Sequence, residues 1–305
     1  MNLPYLPYDS WQETRITLHL IFQIIGKIRL ASTPRKNHWW YITEYVSPLG
    51  FTTGAIPLAD GFSSFEIVLN IHKKAVQLIN SNGELETIPL KEGYSISSFF
   101  KDIMGILNRW EIYPKFIKKP MDMGIDKSFA EITEYHHYDW DAIVLFWQMM
   151  SWVDGVFKEF SGRFYGKTCP VHLYWHHMDL AVTRFSGKMA PPMDPKARIS
   201  DKDAYSHEVI SFGFWIGDDN LPEPAFYSYT APSPPSLDQE EILPKEAFWM
   251  DANGSPMAIL KYKDLLDYPA PREVLLAFLE SAYQGGAKNA GWDIESLTVI
   301  PLEKL

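Results

Sequence analysis

The sequence predicts an α+β protein of two pseudo-repeats, each running helix, four or five antiparallel strands, helix. Three observations predict it. Helical stretches open after Ser10 and at Asp139. Short runs rich in β-branched and aromatic residues follow, punctuated by the hairpin signals Asn82-Gly83 and Asn253-Gly254. Landmarks also recur: Trp11 and Trp140 stand 129 residues apart, as do Gly26 and Gly155, and Ser32 and Ser161. Tyr8-Asp9 precedes the first tryptophan and Tyr138-Asp139 the second. Shared order at one offset is the mark of an internal repeat.

In the first half, Ser10 and Glu13 have capping-box spacing for a helix start. Leu18, Phe22, Ile25 and Ile28 form its buried face, and Ile16, Leu20 and Ile24 widen it. Gln12, Arg15, His19, Gln23 and Lys27 make a narrow polar stripe, expected to face solvent. Pro34 ends the helical region. Strands are expected at 38–46, 51–58, 65–71, 75–79 and 85–90, and a helix at 97–110. The second half repeats the pattern, with strands at 171–178, 248–251 and 257–262 and a helix from Pro271 to about Tyr283. The organisation is therefore a first repeat at 1–113, a linker at 114–138 and a second repeat at 139–305. Two surface loop insertions, 187–204 and 231–245, interrupt the latter.

Hydrophobic residues make up 46% and charged residues 22%, the profile of a packed globule. A net charge of −10 argues against gripping nucleic acid or anionic membrane, which needs clustered Lys and Arg. Cys169 is the one cysteine, which excludes an intramolecular disulfide and a cysteine-based zinc site. The start Met1-Asn2-Leu3-Pro4 lacks a basic patch before an apolar run, and no stretch reads as a membrane span, so a cytoplasmic, soluble protein is expected.

Chemistry is less legible. No dinucleotide fingerprint, phosphate loop, His-Glu-x-x-His helix or nucleophile elbow is present, and no cofactor is implied. The stretch Cys169 to Gly187 holds His172, His176, His177, Asp179 and Arg184. On an uninterrupted strand His172, His176 and Arg184 share one face and His177 and Asp179 the other, unless the chain kinks at Met178-Asp179. The three histidines are weak metal candidates, because ligands must converge on one point. His207 and Glu208 face opposite sides of a strand, so each would need a partner from elsewhere to move protons. Arg29 and Lys158 end helices, where the dipole alone favours a cation. Together with Arg184 they are the candidates for an anion pocket, since the arginine fork suits carboxylate or phosphate. His38, Trp39 and Trp40 are candidates for stacking against a ring or sugar.

The chain resembles a family of uncharacterised proteins, found chiefly in bacteria and catalogued only as a domain of unknown function. The strings that carry the resemblance span nearly the whole chain. They include Gly26-Lys27-Ile28-Arg29-Leu30, Asn37-His38-Trp39-Trp40, Val156-Phe157-Lys158-Glu159-Phe160, Asp179 to Gly187, Ser206 to Ser211 and Glu223 to Tyr227. The resemblance implies no activity. Its pattern includes His38, Lys158, Asp179, Arg184, His207 and Glu208 but not His176-His177, which weighs against a metal.

The expectation is a protein that binds a small anionic or aromatic molecule, or an enzyme acting on one, in a pocket between the halves. Arg29, Lys158 and Arg184 would fix charge, Trp39 and Trp40 would stack, and Asp179, His207 or Glu208 would handle protons. Two alternatives stand beside it: an interaction module using the acidic, proline-bearing loop 233–246, and a metal-dependent hydrolase.

Overall fold

A computed structural model describes residues 3–252 and 254–304. Met1, Asn2, Asn253 and Leu305 lie outside the described residues, and with them part of the N-terminal reading and half of the second hairpin signal.

The first half opens with a 3₁₀ turn at Tyr8–Trp11 and continues into α1 (Gln12–Ser32). The 3₁₀ turn displaces the expected capping box, and the Ser10 hydroxyl donates to the Pro7 carbonyl instead. A 3₁₀ turn at Asn37–Trp39 follows. His38 and Trp39 take left-handed φ there, so the strand expected at 38–46 shrinks to β1 (Tyr45–Ser47). Next come β2 (Gly50–Thr52), β3 (Ile56–Pro57), β4 (Ser64–Asn70), β5 (Ala75–Asn80), β6 (Leu85–Pro89) and α2 (Ile96–Arg109). Gly83 turns the β5–β6 hairpin at φ +84, a conformation open to glycine at no steric cost.

The linker carries one 3₁₀ turn, Phe129–Glu131, and buries Phe129, Ile132 and Tyr138 against the first half. Asp139 then caps α3 (Trp140–Ser161) by accepting from the Asp141 and Ala142 amides. The second half continues with β7 (His172–Tyr174), β8 (Asp179–Met189), α4 (Ile199–Ala204), β9 (His207–Trp215), β10 (Ala225–Ala231), β11 (Phe248–Ala252), β12 (Ser255–Lys261), α5 (Tyr262–Leu265) and α6 (Pro271–Asn289). No described helix is long and apolar enough to cross a membrane.

Both sheets are antiparallel. The first runs β1-β2-β4-β5-β6 with β3 beside β4, and the second β11-β12-β10-β9-β8-β7. They meet edge to edge, because Glu44, just before β1, exchanges both backbone hydrogen bonds with Leu173 of β7 (2.9 and 2.7 Å). Hairpin wiring differs between the halves. The inner strand of the first hairpin is β5, the earlier one, whereas in the second it is β12, the later one.

In β8, β9, β10 and β12 the even-numbered residues face helices. Phe212 meets Phe160 of α3, Phe226 meets Phe157, and Thr230 and Ile210 approach Gly286 of α6. The odd-numbered residues of β8, β9 and β10 form a face without helices. A single apolar cluster runs through both halves, joined where Phe146 of α3 meets Trp11 and Phe51.

Candidate functional site

The helix-free face of the second sheet is the floor of a cleft of about 1620 Å³. The first half supplies one wall, through Arg15 and His19 of α1, and another through Trp39 and Trp40. Apart from the exposed Gln12, the α1 stripe is therefore not a solvated face. Gln23 is fully buried and bonds both ways with the Met121 backbone (2.8 and 2.7 Å). His19 Nε2 donates to the His176 carbonyl (2.9 Å), and Lys27 lies over the Trp175 ring. The stripe is polar because it docks on backbone carbonyls of the linker and of the β7–β8 turn. Gly26 permits that docking, since any Cβ there would land inside the Trp175 indole.

Asp179 opens β8 at the floor of the cleft and is only 9% exposed. Its Oδ2 accepts from the Tyr227 hydroxyl (2.7 Å), and its Oδ1 has no partner. Tyr227 is on β10, two strands away. Its ring reaches Asp179 by lying across Gly213 of β9, where a Cβ would overlap the ring. Glycine is the residue that keeps this path open. Burial pushes the Asp179 carboxyl above its ordinary value, opposed by the Tyr227 hydrogen bond and by nearby His177.

Further phenols gather around it. Tyr205 and Tyr229 share a hydrogen bond (3.1 Å), Tyr229 stacks parallel to Tyr227, and Trp215 packs on Tyr227. Burial raises Tyr174, Tyr227 and Tyr229 well above the ordinary phenol range, and Tyr205 less far, so all four remain O–H groups at neutral pH. Thr183 and Ser211 pair their hydroxyls on the same floor (3.0 Å), and the buried Trp215 Nε1 has no acceptor.

At the other end, His38 Nδ1 faces the Asp203 and Ala204 carbonyls (3.1 and 3.2 Å) and must carry the proton. Its Nε2 is then free to accept from Lys167 Nζ (2.6 Å). Burial lowers both groups, and the Lys167 charge lowers His38 further. Trp39 Nε1 donates to the Ser200 carbonyl of α4, and Trp39 stacks on Tyr41. Trp40 and Phe185 pack round Lys167.

The other candidates are placed elsewhere. Arg184, 1% exposed, is on the helix-facing side of β8. It stacks on Phe160 and Tyr283 and donates to the Phe160 carbonyl near the end of α3 (2.6 Å). Lys158 is on the surface, with its side chain 61% exposed, and pairs with Asp154 (2.5 Å). Arg29 sits at the seam between the sheets, donating to the Tyr41 carbonyl near Tyr45 and the buried Glu44. These three cations do not come together, and none lines the cleft.

His172 pairs with Ala181 and Tyr174 with Asp179, so His172 shares a face with Asp179 and not with Arg184. The turn at 175–178, with Met178 at φ +55, breaks the continuous alternation on which the opposite expectation rested. His172 is 1% exposed, has neither ring nitrogen partnered, and is driven down to about 3 by burial. His176, pressed against His177, is also lowered to about 3 by burial. Among the described residues no three His, Cys, Asp or Glu side chains converge as a metal site. His207 and Glu208 do face opposite sides: His207 approaches His38, and Glu208 accepts from Ser186 (2.7 Å).

A family model matches residues 3–299, nearly the whole chain. The chain belongs to DUF5996, a family of unknown function. No curated protein and no solved structure matches it. For this DUF5996 chain the site must therefore be argued from its own residues. Sequence reasoning named Asp179, His38, Trp39 and Trp40 but missed Tyr227, Gly213 and Lys167. The alternation Tyr227-x-Tyr229 was the available signal for the first. Nothing local marks the other two.

Proposed function

We propose that this DUF5996 protein binds a small molecule with an aromatic or apolar body in the cleft, and that Asp179 is the group that engages its polar end. One observation carries the reading: a buried carboxylate opens into the cleft with one oxygen held by Tyr227 and the other unpartnered. A buried polar atom without a partner costs roughly 1–3 kcal/mol, and such groups persist where a ligand completes them. Trp39, Trp40, Trp175 and Trp215 give the lining its aromatic character.

An aromatic ligand fits this lining better than an anionic one, since Arg29, Lys158 and Arg184 are all elsewhere. Catalysis would fall to Asp179 as a proton carrier whose affinity for a proton burial has raised. The interaction-module alternative draws less support. Loop 233–246 buries Leu237, pairs Glu240 with Lys288 of α6 and is tied to Ser281. We take the protein to act in the cytoplasm. We also read its halves as a duplication, given the shared helix–sheet–helix order and the meeting of their first strands.

Native mass spectrometry of the purified full chain, with titration of 2-phenylethanol followed by tryptophan fluorescence, tests the reading. Expected is either a native adduct that denaturation releases or saturable quenching, each weakened in Asp179→Asn. A bare native mass together with no saturable quenching would refute it.

A further inference from the structure

The cleft carries information about the charge of its ligand. On the floor, Asp179 Oδ1 is unpartnered, and among the described residues no Lys or Arg forms an ion pair with Asp179. The basic group whose charge acts on Asp179 is His177. The lining above also holds Asp122, Asp201, Asp218 and Asp219, against Arg15 and Arg198. Arg15 stacks 3.8 Å over Tyr8, whose hydroxyl donates to Asp219 (3.3 Å), and its own Nε has no partner. A cleft whose lining carries an excess of one sign of charge focuses its field and concentrates ligands of the other sign.

The phenols point the same way. An anion needs free donors, and here Tyr227 donates to Asp179 while Tyr205 and Tyr229 share a bond that occupies one of their two protons. Beside the Trp215 N–H, which has no acceptor, these side chains present ring surface to a ligand: Tyr227 and Tyr229 stacked 6.1 Å apart, Tyr205 inclined to Tyr229, and Trp215 against Tyr227. Ring faces beside a carboxylate attract a cation through the quadrupole and through the charge together.

We infer that the cleft selects a cationic ligand, an ammonium group on an aromatic or apolar body, with Asp179 as counter-ion and Tyr174, Tyr205, Tyr227, Tyr229 and Trp215 as the surrounding cage. The inference rests on the cleft reading above and adds the charge of the occupant. It also accounts for the missing partner of Oδ1: the ammonium N–H supplies it. A protonated Asp179 would release its proton when the cation arrives, since an adjacent positive charge favours the carboxylate. Affinity for the cation therefore rises with pH until Asp179 is fully ionised. The groups facing it are Tyr174 of β7, His177 of the β7–β8 turn, Tyr205 ahead of β9, and Tyr227 of β10, with Tyr229 behind.

The test is isothermal titration calorimetry on the full chain with three probes of similar shape: 2-phenylethylammonium, 2-phenylethanol and 3-phenylpropionate. The ammonium should bind about tenfold or more tighter than the alcohol, and the carboxylate more weakly than either. Asp179→Asn should weaken both probes but the ammonium far more, erasing its advantage over the alcohol. Proton release, read as a binding heat that depends on the buffer's ionisation enthalpy, checks the same point in the unaltered protein should the variant fail to fold. Equal or tighter binding of the alcohol, or an ammonium preference that survives Asp179→Asn, would overturn the cation inference while sparing the cleft. No saturable binding by any probe would overturn both.

Discussion

Gly213→Ala isolates the contact that aims Tyr227 at Asp179. The added methyl would overlap the Cζ, Oη and Cε1 atoms of the Tyr227 ring, so the ring must lift from β9. Lifting it breaks the 2.7 Å bond to Asp179 and leaves both carboxylate oxygens without a partner. Trp215 and Tyr229 pack on the ring and limit where it can go. Overpacking of this kind costs about 1–3 kcal/mol, and replacing a strand glycine by alanine returns about 0.5–1 kcal/mol. The net expectation is a loss of about 1–2 kcal/mol, read as a lower urea midpoint at unchanged slope. A double-mutant cycle supplies the decisive assay. In a Tyr227→Ala background the ring is gone, and Gly213→Ala should be neutral or stabilising by about 0.5 kcal/mol. The same loss in both backgrounds would refute the claim that Gly213 exists to seat that ring.

Asp179→Asn should stabilise the protein near neutral pH, as functional groups held against their solvation preference often do when replaced. Because burial raises the folded-state value above the ordinary 3.8, the wild-type carboxyl contributes fully below that pH and loses the contribution as pH rises through the folded value. The gain of Asp179→Asn should therefore shrink toward acid; a gain independent of pH in parallel urea titrations would contradict the assignment. Arg184→Ala should cost about 2–4 kcal/mol of stability by thermal or urea unfolding, since it removes a buried guanidinium stacked on two rings. It should leave probe binding in the cleft unchanged, and lost binding in a stably folded variant would place Arg184 functionally where its geometry does not. Cys169, buried and pushed up to about 11 by that burial, should resist thiol reagents at neutral pH until the chain unfolds. Rapid labelling of the native protein would count against the packing described.

Local patterns were readable in the sequence, and pairings between distant segments were not. Leu18, Phe22, Ile25 and Ile28 repeat with the helix and are buried as their spacing implies. Asp139 announces α3 through a cap that depends on its own neighbours alone. The stripe Arg15, His19, Gln23 and Lys27 looked solvated because its partners, Met121 and the turn at 175–178, are remote in sequence. His172 misled for a related reason: which face it shares is decided by hairpin register, and four turn residues reverse the parity of an uninterrupted strand. Asp179 was legible as a proton-handling candidate. Its tyrosine partner depends on the order β8-β9-β10, and its pathway on a glycine in the strand between.

The Glu44–Leu173 pairing has a consequence for how the chain survives as separate molecules. Two sheets standing apart present four open borders, each a template for adding a foreign strand. Because β1 and β7 turn theirs toward one another, the outer borders that remain are those of β6 and β11, with the two-residue β3 beside β4. A half severed from the other would regain an unguarded border and, with Phe146 withdrawn from Trp11 and Phe51, a stripped apolar patch beside it. Such a fragment would be expected to clump or to seek another copy of itself, so partial synthesis or nicking between the halves is a hazard the intact chain avoids by being joined.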